Sequence, residues 1–310
     1  MKVLGVAEIN ENLENVCTFY HHPDKMIEIE KERFYMDPII IDTDLCTGCG
    51  ICTKLCPYGI PATQGDGEQP SVNPATAPYC SRCGHCEAIC PEGAINVNYP
   101  GAGPVADDVP DQPDITPGQL AKLVMMRRSI RDYRGESVPR ETLEKLFNII
   151  RYAPTGMNGQ SVHWLVIRNP DEVRRLSGRV IDWAREVRET QPDNPLVPAL
   201  TLLIEAWESG TDPICHGAPH LVIAHGRKDN PVSFIDAIIA LTHLDLAAPV
   251  FDLGTCWAGF MQIGLDAAPD LMRELGLPEG HKSHYAMMLG YPKYSFQRVP
   301  KRDPAKVTWG

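Results

Sequence analysis

Two runs of cysteines share one spacing. Cys46, Cys49, Cys52 and Cys56, then Cys80, Cys83, Cys86 and Cys90, both read C-x-x-C-x-x-C-x-x-x-C, and each is followed by proline, Pro57 and Pro91. Two-residue spacers let three sulfurs converge on one cubane, while the three-residue step and the proline turn the chain toward a second one, which takes the fourth sulfur. The expected chemistry is one-electron transfer through two [4Fe-4S] clusters. Cys46, Cys49, Cys52 and Cys90 would hold the first, and Cys80, Cys83, Cys86 and Cys56 the second. Structural zinc pairs short C-x-x-C knuckles over a long gap, which a repeated triple spacing with trailing Cys-Pro does not resemble. A disulfide framework needs a secretory route, and no charged start leads into a long apolar run. Of the remaining cysteines, Cys17, Cys215 and Cys256 read as buried small residues rather than nucleophiles.

From Asp37 to Tyr99 the chain resembles a two-cluster ferredoxin domain, including Cys-Pro-Tyr-Gly-Ile after the first run and Cys-Pro-Glu-Gly-Ala-Ile after the second. The Gly- and Pro-rich segment from Tyr58 to Tyr79 is longer than in compact ferredoxins and reads as an inserted loop.

At 310 residues the chain has room for a second domain with its own core. Its 43% hydrophobic and 22% charged content is that of a globular protein, expected in the reducing cytoplasm, and no apolar run is expected to span a membrane. A net charge of −11 disfavours general affinity for nucleic acid. Residues 1–36 form an N-terminal arm whose neighbouring His21 and His22 lack a third ligand at useful spacing. Residues 100–115, rich in proline, glycine and aspartate, read as a semi-extended linker.

Residues 116–310 alternate helix and strand patterns. Thr116 and Pro117 predict a helix start, with Leu120, Leu123 and Val124 as an apolar stripe. Pro139 to Tyr152 reads as a helix burying Leu143, Leu146, Phe147 and Ile150. Short strands are expected at 164–167, 219–225 and 285–290, and helix, broken by prolines, over 171–209. Ser233 to Leu253 reads as a long central helix with little polar face. The fold class is therefore α+β, a mixed sheet flanked by helices.

Chemistry in this half gathers on Arg127, Arg128, Ser129 and Arg131, where guanidinium groups can grip two phosphate oxygens at once and a hydroxyl can donate to a third. Read alone, the same cluster could be a solvated helix end. Arg298, Lys301 and Arg302 in the tail could close on the same phosphate, Thr155, Gly156, Asn158 and Gln160 offer polar groups to a flat ring, and the small residues of 254–260 would let backbone N–H groups approach a flavin edge.

Arg-Arg-Ser-Ile-Arg-Asp-Tyr, Ala-Pro-Thr-Gly-Met-Asn-Gly-Gln, Gly-Thr-Cys-Trp-Ala-Gly-Phe and a basic tail after Leu-Gly-Tyr-Pro occur in the order seen in FMN-dependent nitroreductases. The whole chain resembles the ferredoxin-fused nitroreductases. This resemblance implies a homodimer with FMN at the subunit interface. Arg127, Arg128, Ser129 and Arg131 would hold the FMN phosphate and ribityl chain, and Arg302 with Lys301 or Arg298 would complete that site. Pro154, Thr155, Gly156 and Asn158 would approach from the partner subunit, and the backbone of Cys256, Trp257, Ala258 and Gly259 would lie near the isoalloxazine ring. Residues 182–210 would form the substrate-side wall. An external donor, ferredoxin or nicotinamide, would load the clusters, and the flavin would pass electron pairs to a small acceptor such as a nitroaromatic, quinone or activated alkene. Reductive dehalogenation on the same scaffold, or electron transfer between FMN and a protein partner, are the alternatives. No residue is singled out as the catalytic acid.

Overall fold

In a computed structural model the structure describes residues 37–65, 67–101 and 115–310. The expected arm over 1–36, with Cys17, His21 and His22, and the linker at 102–114 lie outside them. The chain divides into two compact units: one holds the described residues up to Gly101 together with the turn Gly156–Gly159, and the other holds residues 115–155 and 160–310.

The first unit is built twice over. Strand β1 (Ile39–Ile41), helix α1 (Ile51–Leu55), strands β2 (Pro61–Ala62) and β3 (Ser71–Val72), helix α2 (His85–Ala88) and strand β4 (Ile95–Val97) follow in order, with β1 antiparallel to β4 and β2 antiparallel to β3. Left-handed glycines, Gly50 at φ 67° and Gly84 at φ 76°, introduce α1 and α2 and let the chain reverse between the second and third cysteines of each run. Its apolar core is small, centred on Ile39, Cys52, Ile60, Ile95 and Val97.

In the second unit Thr116 caps helix α3 (Pro117–Met126) through a capping box with Gln119. The stripe read on α3 is not buried here: Leu120 and Val124 are exposed. Helix α4 (Arg140–Ile150) buries Leu143, Leu146 and Ile150 as its periodicity predicts. Strand β5 (His163–Ile167) leads into α5 (Pro170–Thr190) and α6 (Val197–Glu208), a helical hairpin broken in the proline-containing stretch the sequence marks. Strand β6 (His220–Arg227), helix α7 (Ser233–Ala247), strand β7 (Gly254–Trp257), helices α8 (Gly259–Ala267) and α9 (Pro269–Glu274) and strand β8 (His281–Gly290) complete it.

The sheet order is β5-β6-β8-β7, and every pairing is antiparallel. This corrects the mixed sheet expected within the chain. Strands β6 and β7, linked through α7, do run parallel, but β8 is inserted between them and pairs antiparallel with both. The α+β class stands.

Helix α7 is not central. Ser233, Asp236, Ala237, Ala240, Leu241, Leu244 and Asp245 are buried, while Phe234 and Ile235 are each 52% exposed. The stretch Ser233–Phe251, 19 residues at a mean hydropathy of 1.6, is long and apolar enough by length and composition to cross a bilayer, which corrects the expectation that no apolar run is. It packs on β6 and β8, and its two aspartates face inward: Asp236 accepts from the Ser161 hydroxyl and Asp245 pairs with Arg127.

A register shift between Ala224 and His225 lies where β6 meets β8. His163 and His225 are cross-strand partners, and His225 Nδ1 lies 3.1 Å from His281 Nδ1. Burial first, then His163 and His281, pushes His225 down to about 4; burial, then Lys282 and His281, pushes His284 down to about 4. Both are neutral when folded, whereas an unfolded histidine titrates near 6.5. Between these values the unfolded chain binds more protons, so stability falls as pH drops through that window. The urea midpoint is expected to be lower at pH 5 than at pH 7, with His284→Leu narrowing the difference. Equal midpoints for the native chain would contradict this.

Candidate active site

The eight cysteines line two cavities, and each cavity draws on both runs. Cys46, Cys49 and Cys52 share the first with Cys90. Cys80, Cys83 and Cys86 share the second with Cys56. The last cysteine of each run crosses because the following Pro-x-Gly segment folds back: Gly59 N–H donates to the Cys56 carbonyl at 3.1 Å, and Gly93 N–H to the Cys90 carbonyl at 3.2 Å. One residue further, Ile60 N–H points at Cys56 Sγ (3.5 Å) and Ala94 N–H at Cys90 Sγ (3.2 Å). Such backbone donors stabilise sulfur carrying negative charge.

The thiols suit a cationic cluster core better than they suit isolation. Burial raises Cys52 and Cys80 and pushes Cys86 up to about 11, with neighbouring cysteines adding to each shift. Several thiolates facing one small cavity repel one another unless iron neutralises them. The residues present therefore fit the [4Fe-4S] groups that the spacing predicts.

The basic segment follows α3 as extended chain. Ile130 anchors it: its N–H donates to the Thr255 carbonyl at 2.9 Å, and its side chain lies flat on Gly254, where an added Cβ would come within 2.3 Å of Ile130 Cγ1. Buried Tyr133 closes the segment by donating its hydroxyl to the Ile130 carbonyl at 2.8 Å. Between these anchors, Arg128 Nη2 donates to the Met125 carbonyl (2.7 Å), while its buried Nε has no hydrogen-bond partner among the described residues. Arg127 Nη1 lies 3.3 Å from the buried carboxylate of Asp245, whose other oxygen accepts from the Thr255 hydroxyl. A buried guanidinium nitrogen without an acceptor, beside a second guanidinium held from behind, fits a bound phosphate.

Ser129, Arg131 and Cys256 are neighbours. Burial raises the Cys256 thiol, against the opposing influence of Arg131 and a hydrogen bond from Ser129. Thr255, Cys256 and Trp257, with backbone N–H groups expected to approach a flavin edge, belong to strand β7. The Ala258 N–H is taken by the Ala286 carbonyl at 2.9 Å. Further donors stand in the first turn of α8, beginning at Gly259, whose N–H groups have no acceptor within the helix.

Pro154 and Thr155 lie in the loop after α4, and Thr155 Oγ1 accepts from Gln160 N–H at 3.0 Å. Met157, Asn158 and Gln160 all have left-handed backbone, an arrangement that persists only where the surroundings enforce it. Asn158, in the Gly156–Gly159 turn of the cluster unit, gives its Nδ2 to the carbonyls of Ser81 (3.1 Å) and Arg82 (3.0 Å). Arg298, Lys301 and Arg302 are exposed on the irregular tail after β8. Residues 182–210 cover the end of α5 and all of α6, whose Leu200, Leu203 and Ile204 enter the main core.

Sequence reasoning missed Asp245 and Asp212. Asp245, like Asp236, is an acid on a largely apolar helix, a signal available in the sequence. Asp212 organises a tight turn, accepting from Ile214 N–H and Cys215 N–H at 3.0 Å each and from the Ser177 hydroxyl at 3.2 Å. The turn holds His216 in left-handed backbone at φ 53°. Burial lowers the His216 imidazole, and nearby Arg131 adds to that effect while Asp212 opposes it.

Residues 124–291, more than half of the chain, match the profile described as the nitroreductase family. The chain belongs to the nitroreductase family. Residues 45–95, which contain all eight clustered cysteines, match a 4Fe-4S dicluster domain. Among curated relatives, an iodotyrosine deiodinase from Nematostella vectensis is 24% identical over 204 residues, 61% of this chain and 74% of the relative. The FMN reductase [NAD(P)H] of Bacillus subtilis is 24% identical over 180 residues, 57% of this chain and 62% of the relative. A nitroreductase with bound FMN from Bacteroides fragilis shares the fold at a TM-score of 0.52 and 22% identity, covering 62% of this chain and 98% of that one.

Proposed function

We propose that this nitroreductase-family chain is an FMN-dependent oxidoreductase in which two [4Fe-4S] clusters relay single electrons from an external donor to FMN for reduction of a small organic acceptor. The observation that carries the reading is the crossed sorting of the cysteines: each cavity takes three from one run and the last of the other, as a two-cluster electron carrier requires. Bound FMN would supply the junction at which single electrons become a pair. The protein's own part is binding and electrostatics. Arg127, Arg128, Ser129 and Arg131 would hold the phosphate and ribityl chain, with the basic tail residues completing the site. The first turn of α8 would place positive potential near a ring that gains negative charge.

The exposed Phe234 and Ile235 on α7 supply an apolar face suited to a second copy of the chain, and a homodimer would bring the loop at Pro154–Asn158 to the partner's flavin. Eight thiols reserved for oxygen-sensitive clusters suit a reducing, cytoplasmic setting.

The test is an anaerobic titration followed by visible spectroscopy, with reduced ferredoxin in one cuvette and NADH or NADPH in another. Bleaching of cluster and flavin bands together by ferredoxin, followed by reoxidation on adding a nitroaromatic or quinone, is the expected result. Absence of a flavin band from protein supplied with FMN would sink the reading. Flavin reduced by nicotinamide ahead of the clusters would reverse the direction of flow. A second reading, reductive removal of halide, is favoured by curated relatives named iodotyrosine deiodinase. Halide release from a halophenol by the reduced protein separates the two.

A further inference from the structure

The two cysteine cavities are alike in backbone and differ in the charged side chains that line them. Among the described residues, the lining of the cavity of Cys46, Cys49, Cys52 and Cys90 has one ionisable side chain besides its thiols, Glu92, and no basic group. Among the described residues, the lining of the cavity of Cys56, Cys80, Cys83 and Cys86 includes Arg82 and His85 and no carboxylate. Glu87 is not itself in that lining, but its carboxylate, which accepts from Val97 N–H at 2.9 Å and the Tyr99 hydroxyl at 2.6 Å, lies 4.0 Å from where a Cβ on Gly84 would stand and partly offsets the positive charge of Arg82.

Arg82 occupies a position that the other run gives to glycine. The two stand at the same place in C-x-x-C, Gly48 at φ 70° and Arg82 at φ 48°. At Gly48 a Cβ would meet the Gly67 carbonyl oxygen at 2.6 Å, so nothing larger fits. At position 82 the same left-handed turn carries a long cationic side chain whose Nε is buried. A non-glycine residue is strained in this backbone, and glycine would relieve the strain.

Reduction adds one negative charge to a cluster. A fixed cation beside it favours the reduced form, and an anion disfavours it. At the crossing cysteines the backbone is matched, since each cavity receives one N–H directed at the crossing sulfur. The shorter of these, at Cys90, favours reduction of the first site, but a hydrogen bond is a weaker influence than a full charge.

We propose that Arg82 sets the second site, Cys56 with Cys80, Cys83 and Cys86, at the higher reduction potential, so that an electron entering the chain settles there. One electron leaves the reduced first cluster and is taken up by the oxidised second, and no proton is required. The inference rests on the reading that both cavities hold [4Fe-4S] clusters.

The test is an anaerobic redox titration of the full-length holoprotein followed by electron paramagnetic resonance. Native protein is expected to show two separate reduction waves. Arg82→Gly, which copies Gly48 and so spares the turn, is expected to lower the higher wave by about tenfold in the reduction equilibrium, 59 mV for a one-electron couple, and leave the lower one in place. Arg82→Lys keeps the charge and should stay near native. Glu92→Gln should raise the lower wave alone, closing the gap from the other side. Matched iron and sulfide contents show that the variants are loaded. A single wave in native protein, or an Arg82→Gly variant that moves neither wave or both equally, overturns the proposal. Native protein without cluster signals or iron would instead overturn the cluster reading beneath it.

Discussion

Cys90→Ala is expected to remove the cluster of the first run and spare that of the second, although Cys90 belongs to the second run by sequence. Its thiol lines the cavity of Cys46, Cys49 and Cys52. The matching change, Cys56→Ala, is expected to do the reverse, because Cys56 lines the cavity of Cys80, Cys83 and Cys86. Each variant should lose about half of its iron and one of two reduction waves, and the wave that survives should differ between them. If ligation stayed within each run, Cys90→Ala would cost the wave that responds to Arg82→Gly, and the crossed assignment would be wrong. Both variants should also be easier to unfold. The unit's apolar core is only a handful of side chains around Ile39, Ile60 and Ile95, and metal binding must provide much of its folding free energy.

This crossed arrangement was legible in the sequence because the information is local: eight residues, one spacing and a proline after each run. The helices were legible for a similar reason. Apolar residues at helical spacing marked α4, and Thr116 with Pro117 marked the start of α3. Features that depend on distant partners were not readable. Gly254–Trp257 is only four residues long and opens on a glycine, too little to announce a strand, and it becomes one because β8 lies alongside. Strand β8 begins at His281, earlier than its apolar residues suggest, because polar His281, Lys282 and Ser283 still pair with β6 beyond the irregularity at His284. The apolar residues of α7 predicted burial all round, but periodicity cannot say which face meets the chain's own sheet, and Phe234 and Ile235 stay exposed. At the candidate flavin site the arginine cluster was visible as composition. What holds it was not, because Arg127 and Asp245 meet only after α7 has packed against the sheet.

That contact carries the second large expected effect. Arg127→Ala should weaken FMN binding by about tenfold to a hundredfold, the loss of one charge-assisted hydrogen bond worth roughly 1.5–3 kcal/mol. Asp245→Asn tests what the carboxylate does, because two influences oppose each other. Its negative charge repels a phosphate, so removing it could tighten binding. It also fixes the Arg127 guanidinium at 3.3 Å and anchors the Thr255 hydroxyl in a buried place, so removing it frees a long side chain that must then be ordered on binding. Asp245 is buried beneath the arginine, and its charge is already matched there by Arg127, so positioning should prevail. Asp245→Asn is expected to weaken FMN binding by less than Arg127→Ala. It should also lower unfolding free energy by about 1–3 kcal/mol, since Arg127 and Thr255 lose a charged acceptor. In the double variant the two binding effects should not add, because both act through one guanidinium. Flavin fluorescence titration measures the binding terms and urea unfolding of the apoprotein the stability term. Tighter FMN binding by Asp245→Asn would show that the carboxylate acts on the phosphate as a repelling charge, and the positioning role would fall.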